Sequence, residues 1–284
     1  MPSVRALLSF VVVLAVATPA AAGWVIDQEL RHTAGSQRQR LFMQTNRLKS
    51  VVLDGERVTM AVVMDLDAQT ITQIDYQQRA YTTATAKEYA EMMRQGFQQM
   101  GQAMGQMQAQ MKEMEAQLKD LPPEQRRQIE AMMRQMQGQQ GGGQGAAAAD
   151  CAADRVEVRR SGKNATVAGY AATGYEIVTN GAPDSEVFIA PAITAAREID
   201  PQKLERMMRE MLQAMPQCPP RGQMFGADPA WKLMKEGYPV RTVEKDGRGV
   251  VEVVKAESRA IAAGEFQPPA GFAKKPLKDL MGGK

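Results

Sequence analysis

The 284-residue sequence holds one histidine and two cysteines, and its charges nearly cancel. Each scarcity excludes a class of chemistry. His32 stands alone, so no typical zinc site can be assembled around it, and any Ser-His-Asp triad would have to use it as base. No GxSxG elbow, Walker-type loop or GxGxxG turn is present. Gly141-Gly142-Gly143-Gln144-Gly145 sits in linker composition rather than between a strand and a helix. No CxxC spacing suggests a redox or metal pair. The carboxylates Asp65 and Asp67 fall at a strand end and read as solvated turn residues. No catalytic residue, metal ligand or cofactor is therefore assigned, and the chain is read as not an enzyme. Thirty-five basic against 32 acidic residues give no concentrated basic face, which excludes nucleic acid as a partner.

Long apolar runs are also missing, with one exception. Arg5 precedes twelve nearly all-apolar residues, Ala6 to Ala17, then Pro19 and the small residues Ala20-Ala21-Ala22. That is the three-zone pattern of a secretory signal. Twelve residues fall short of the roughly 20 that span a bilayer. Cleavage is expected after Ala22, leaving a periplasmic protein with no integral membrane span and no cysteine at its start to carry a lipid. Loss of Arg5 leaves 34 basic and 32 acidic residues, a net charge of +2. Outside the cytoplasm Cys151 and Cys218 are expected to form a disulfide. Closing a loop of that length is worth about 4 kcal/mol.

The mature chain, 23–284, reads as one α+β domain. Residues 23–84 form a first strand block. Trp24, Ile26 and Leu30 share one side of a period of two, and Leu41 and Met43, then Leu48 to Leu53, continue the strands. Asp54-Gly55 marks a turn, and Met60 to Met64 reads as a strand buried on both faces. Ile71 to Asp75 and Arg79 to Thr82 complete an antiparallel meander. Residues 85–137 read as an inserted helical hairpin. Thr85 and Glu88 form a capping box. Apolar residues then recur in steps of four and three through Tyr89, Met93, Phe97, Met100, Met104, Met107, Met111 and Met114 to Leu121. This heptad seam predicts a helix roughly 50 Å long, weakened by Gly96, Gly101 and Gly105. Pro122-Pro123 ends it and opens a second helix. Residues 138–150 are a Gly/Gln/Ala linker.

Residues 151–284 form a second strand block with helices. Val156 and Val158, Thr166 to Val178 and Glu186 to Ile189 read as strands, with a turn at Asn180-Gly181. Asp200-Pro201 opens a helix whose face is Leu204, Met207, Met208, Met211, Leu212 and Met215. Asp228-Pro229 opens a short one holding Trp231 and Met234, and a last hairpin turns at Asp246-Gly247.

Several short motifs frame this pattern: Ile74-Asp75 and Arg79-x-Tyr81 before the capped helix, Ala168-Gly169-Tyr170 with Gly174-Tyr175, and Pro268-Pro269-Ala270-Gly271-Phe272. Together they resemble a bacterial exported family of unknown function, DUF4412, which is similar to the periplasmic lipoprotein-carrier (LolA/LolB-like) fold. The resemblance covers most of the mature chain outside the hairpin and linker. It implies a curved antiparallel half-barrel with helices on its concave face, where carriers hold acyl chains.

The 21 methionines admit three readings. They are ordinary helix-packing faces, or they line an adaptable apolar groove, or their thioethers bind Cu(I). Tyr170, Tyr175, Met207, Met211, Trp231 and Phe272 are the candidate ligand contacts. Met100, Met104, Met107, Met111 and Met114 are the candidate interaction face. Expected partners are a lipid or lipidated protein in the concavity, or a protein partner or second copy on the Met-rich helix.

Overall fold

The computed structural model describes residues 22–33, 35–118, 155–212, 233–246 and 249–281. The residues before Ala22, the second helix of the hairpin, the linker, Cys151, Cys218 and Trp231 lie outside the described residues.

Twelve strands form one large, curved, unclosed sheet with few helices. A meander of β1 (Ala22–His32), β2 (Gly35–Gln44), β3 (Arg47–Asp54), β4 (Arg57–Asp65), β5 (Thr70–Asp75) and β6 (Ala80–Thr85) makes one half. Helix α1 (Ala86–Leu118) follows. The other half holds β7 (Val156–Val167), β8 (Tyr170–Thr179), β9 (Ala182–Ala190), β10 (Tyr238–Glu244) and β11 (Gly249–Ala260). Helix α2 (Pro201–Leu212) lies between β9 and β10. β1 joins the halves by pairing with β11, so the order runs β12-β6-β5-β4-β3-β2-β1-β11-β10-β9-β8-β7. All pairings are antiparallel except that of the short β12 (Ala273–Lys274) with β6.

Turn chemistry sets the registers. Thr45-Asn46, Ala168-Gly169 and Asn180-Gly181 are two-residue connections with both residues at positive φ. Such mirror-image turns match the right-handed twist of the strands they join. The middle one divides the single run that the sequence predicts from Thr166 to Val178 into β7 and β8. An alanine at φ 50° hides the turn from composition. β2 also begins earlier than its apolar residues suggest. Its polar half is held by side chains: Gln28 Nε2 donates to Gln39 Oε1 at 2.8 Å, and Gln39 Nε2 in turn donates to Ser50 Oγ.

One bond registers the curvature. Tyr170 Oη, on β8, donates to the carbonyl of Ala256, on β11, at 2.9 Å. Two strands intervene, and in a flat sheet the backbones would lie about 14 Å apart. The sheet therefore curls, and its concave side encloses a core of Trp24, Ile26, Leu41, Met43, Phe188 and Val240.

The opposite, convex face is covered by the chain's return from β11 to β12. A 3-10 turn (Ala263–Phe266) crosses it. Phe266 joins Val25, Phe42, Val51, Ala61 and Ile74 in a second core. Lys49, 4% exposed, anchors the crossing: its Nζ donates to the Glu265 carbonyl and to Oε1, both at 2.8 Å. β4, expected to be buried on both faces, buries Ala61 and Val63 on this side only. On the concave side Val62 and Met64 are half-buried and Met60 is 47% exposed.

Two outcomes are expected. Glu265→Ala leaves the buried Lys49 ammonium without a carboxylate and should cost about 2–3 kcal/mol in denaturant unfolding, which Lys49→Met in the same background should partly restore. Gly96, Gly101 and Gly105 of α1 have open space where a Cβ would stand. Each Gly→Ala change should stabilise the helix by about 0.5–1 kcal/mol, read as a two- to fivefold rise in amide-exchange protection of that stretch.

Candidate functional site

Register brings apolar side chains into one row across the concave face. Met43 of β2 pairs with Leu48 of β3, Leu48 with Met64 of β4, and Met64 with Ile71 of β5. Helix α2 lies over this row. Its Leu204, Met208 and Met211, spaced four and three apart, face it, and Tyr89 from the first turns of α1 closes one side. Between floor and helix is a cavity of about 780 Å³. Three of its lining side chains carry strongly polar groups: Gln73, whose Nε2 donates to Tyr89 Oη at 3.0 Å, Arg197 and Lys235. The volume suits one small ligand, and the five lining methionines are adaptable in shape.

The helix is positioned by its N-terminal end. Asp200 caps it, Oδ1 accepting from Gln202 N at 2.9 Å, and Pro201 takes the first helical position. Asn46, at φ 63° in the β2–β3 turn, ties that end to the sheet. Its N–H donates to the Glu198 carbonyl at 2.7 Å, and its carbonyl accepts from Leu66 N at 2.9 Å. Its Oδ1 accepts from Asp200 N at 2.8 Å and its Nδ2 donates to Asp67 Oδ1 at 3.0 Å. Lys203 Nζ meets the same carboxylate oxygen at 2.5 Å. The bond from Lys203 holds the Asp67 carboxyl below its ordinary range, and Asp67 holds the Lys203 ammonium above its own. Both groups are at the surface, so the contribution is small. It is present near neutral pH and is lost as pH falls through the Asp67 titration.

The sequence-derived candidates disperse. Met211 lines the cavity. Met207 is fully buried beside it, against Leu66, Ile71 and Ala86. Tyr170 is spent on the Ala256 carbonyl and the central core. Tyr175 packs with Ile177, Ile189 and Leu233. Its hydroxyl donates to Glu236, which raises the phenol pKa, as does burial. Phe272 lies on the convex side, edge-on to Tyr76 with centroids 5.4 Å apart. Met100, Met104, Met107, Met111 and Met114 lie on α1, with side chains outside the described residues. Arg197 and Lys235 were not singled out by sequence, nor was Asn46. Its one signal is an Asn in a short break between two apolar runs.

A family model described as "Domain of unknown function (DUF4412)" matches residues 93–272. No curated protein sequence matches. Among solved structures, the chain is similar to "Structure of PNGF-II in C2 space group", at 9% identity and a TM-score of 0.35, over 92% of this chain and 32% of that one. It is also similar to "Crystal structure of MucB in complex with MucA(peri)", at 10% identity and a TM-score of 0.36, over 88% of this chain and 55% of that one. A third is the Pseudomonas aeruginosa MucA/MucB complex, at 10% identity and a TM-score of 0.35, over 88% and 57%. The chain thus spans about a third to just over half the length of these proteins. No described helix is long and apolar enough to cross a membrane.

Replacing Asn46 separates its two roles. Asn46→Gly keeps the positive φ and loses the side-chain bonds, for an expected cost of about 1–2 kcal/mol. Asn46→Ala adds left-handed backbone strain and should cost about 1 kcal/mol more. Urea unfolding of both variants measures the difference.

Proposed function

The chain belongs to the DUF4412 family, whose description names no activity, and we propose that it is a non-enzymatic envelope protein that holds an apolar ligand in the cavity beneath α2. The ligand class is a lipid or lipidated chain. The observation that carries the reading is the cavity itself: about 780 Å³, open between a row of sheet side chains and an amphipathic helix, and lined mainly by aliphatic and methionine side chains. Such a surface stabilises an acyl chain by about 0.8 kcal/mol for each methylene buried. Flexible thioethers accommodate chains of different length. Export through the residue 1–22 signal puts the cavity in the periplasm, where lipidated proteins are moved and sorted.

A second reading concerns α1. Beyond Met93 its described side chains, Arg94 to Gly96 and then Gln98, Gln99, Gln102 and Gln106, are exposed, while Ala86 and Tyr89 of its first turns pack with Leu66, Ile71 and Met207. A helix with that polar face and a methionine seam pairs with another helix, in this chain or another.

Native mass spectrometry of the mature protein, drawn gently from its own envelope without detergent, tests the first reading. A bound lipid or lipidated peptide is the expected result, and a clean unliganded mass overturns it. In parallel, Met64→Glu and Met208→Glu each put a carboxylate against the ligand. Each is expected to weaken binding of the neutral fluorophore N-phenyl-1-naphthylamine at least tenfold, with a folded far-UV spectrum as control.

A further inference from the structure

The cavity has an electrostatic sign. None of its seventeen lining residues is acidic, and two, Arg197 and Lys235, are basic. Both are exposed side chains bordering a mainly apolar space. Each has a glutamate as its sequence neighbour, and each glutamate is turned to another partner. Glu198 Oε2 accepts from Thr45 N at 3.0 Å, and Glu236 Oε2 accepts from the Tyr175 hydroxyl. Among the described residues neither cation has a carboxylate partner.

Resting on the proposal that the cavity holds an apolar ligand, we infer that the ligand is an anionic amphiphile. Its apolar chain lies along the Met43–Leu48–Met64–Ile71 row, and its acidic head is met by Arg197 and Lys235. A purely apolar guest would leave both cations to water and gain nothing from them. A cationic guest would be repelled by two like charges. An anionic head gains two charge-assisted contacts at the mouth, where water still reaches it, so the head need not be desolvated. The carboxylate of a fatty acid and the phosphate of an anionic phospholipid share this chemistry.

The test uses the full mature chain and displacement of N-phenyl-1-naphthylamine by four competitors: hexadecanoate, hexadecanol, hexadecyltrimethylammonium and dipalmitoyl phosphatidylglycerol. Hexadecanoate is expected to bind roughly tenfold more tightly than hexadecanol, as two exposed ion pairs would give, and the ammonium compound more weakly than either. The preference should shrink as salt rises from 0.05 to 0.5 M, that range being about a threefold change in screening length. Arg197→Gln with Lys235→Gln should bring hexadecanoate down to hexadecanol while leaving hexadecanol binding unchanged, which also shows that the variant is folded. With the anionic preference present, displacement by phosphatidylglycerol assigns a phospholipid source, and its failure assigns a single-chain acid. Equal affinities for the three single-chain competitors overturn the anionic head and leave the apolar cavity standing. No displacement by any competitor overturns both.

Discussion

Asn46 is the point on which the site depends. Four bonds from one residue reach three separate segments: the 3-10 turn Ala195–Glu198 before α2, Asp200 that caps α2, and the β4–β5 turn. Nothing about α2 alone would place it over the sheet. Its apolar stripe can slide along any greasy surface, because burial is not directional. Hydrogen bonds are directional, and these fix the helix end over the Met43–Leu48–Met64–Ile71 row. Asparagine suits the position because it tolerates the left-handed conformation and carries both a donor and an acceptor on a short stem.

The two faces of the meander are solved differently. The convex face is sealed by the returning chain, with Phe266 in the core and a buried lysine tied to its backbone. The concave face is roofed without being filled. A protein that needed only stability would have packed this side as it packs Ala61 and Ile74, both fully buried. The half-buried Val62, Leu48 and Met64 mark where packing was left incomplete.

Much of this architecture is legible in the sequence. Period-two runs locate most strands of the meander, and Thr85 and Glu88 make the reciprocal cap that their spacing implies, with Glu88 N donating to Thr85 Oγ1 at 3.1 Å. Asp200-Pro201 opens α2 as read. The cavity is less legible. Its floor depends on register between strands, which no single strand encodes. The candidate ligand contacts follow from residue type, and type does not say on which side of the sheet a residue falls: Phe272 and Met211 end on opposite faces. Arg197 and Lys235 look like any surface cations until their neighbouring glutamates are seen to be engaged elsewhere. Polar strand ends such as Ser36 to Arg40 are hidden for a related reason, since side-chain ladders rather than burial hold them.

The fastening of α2 is lopsided. Its ties to the sheet through Asp200, Lys203 and Asn46 gather in the first turn, while Met208 and Met211 touch the sheet side through apolar contact alone. Twelve residues make an arm about 18 Å long, and tipping it by about 10° about its N-terminal end moves its far end by about 3 Å. Any such tilt would change the width of the space beneath most at the end far from Asn46.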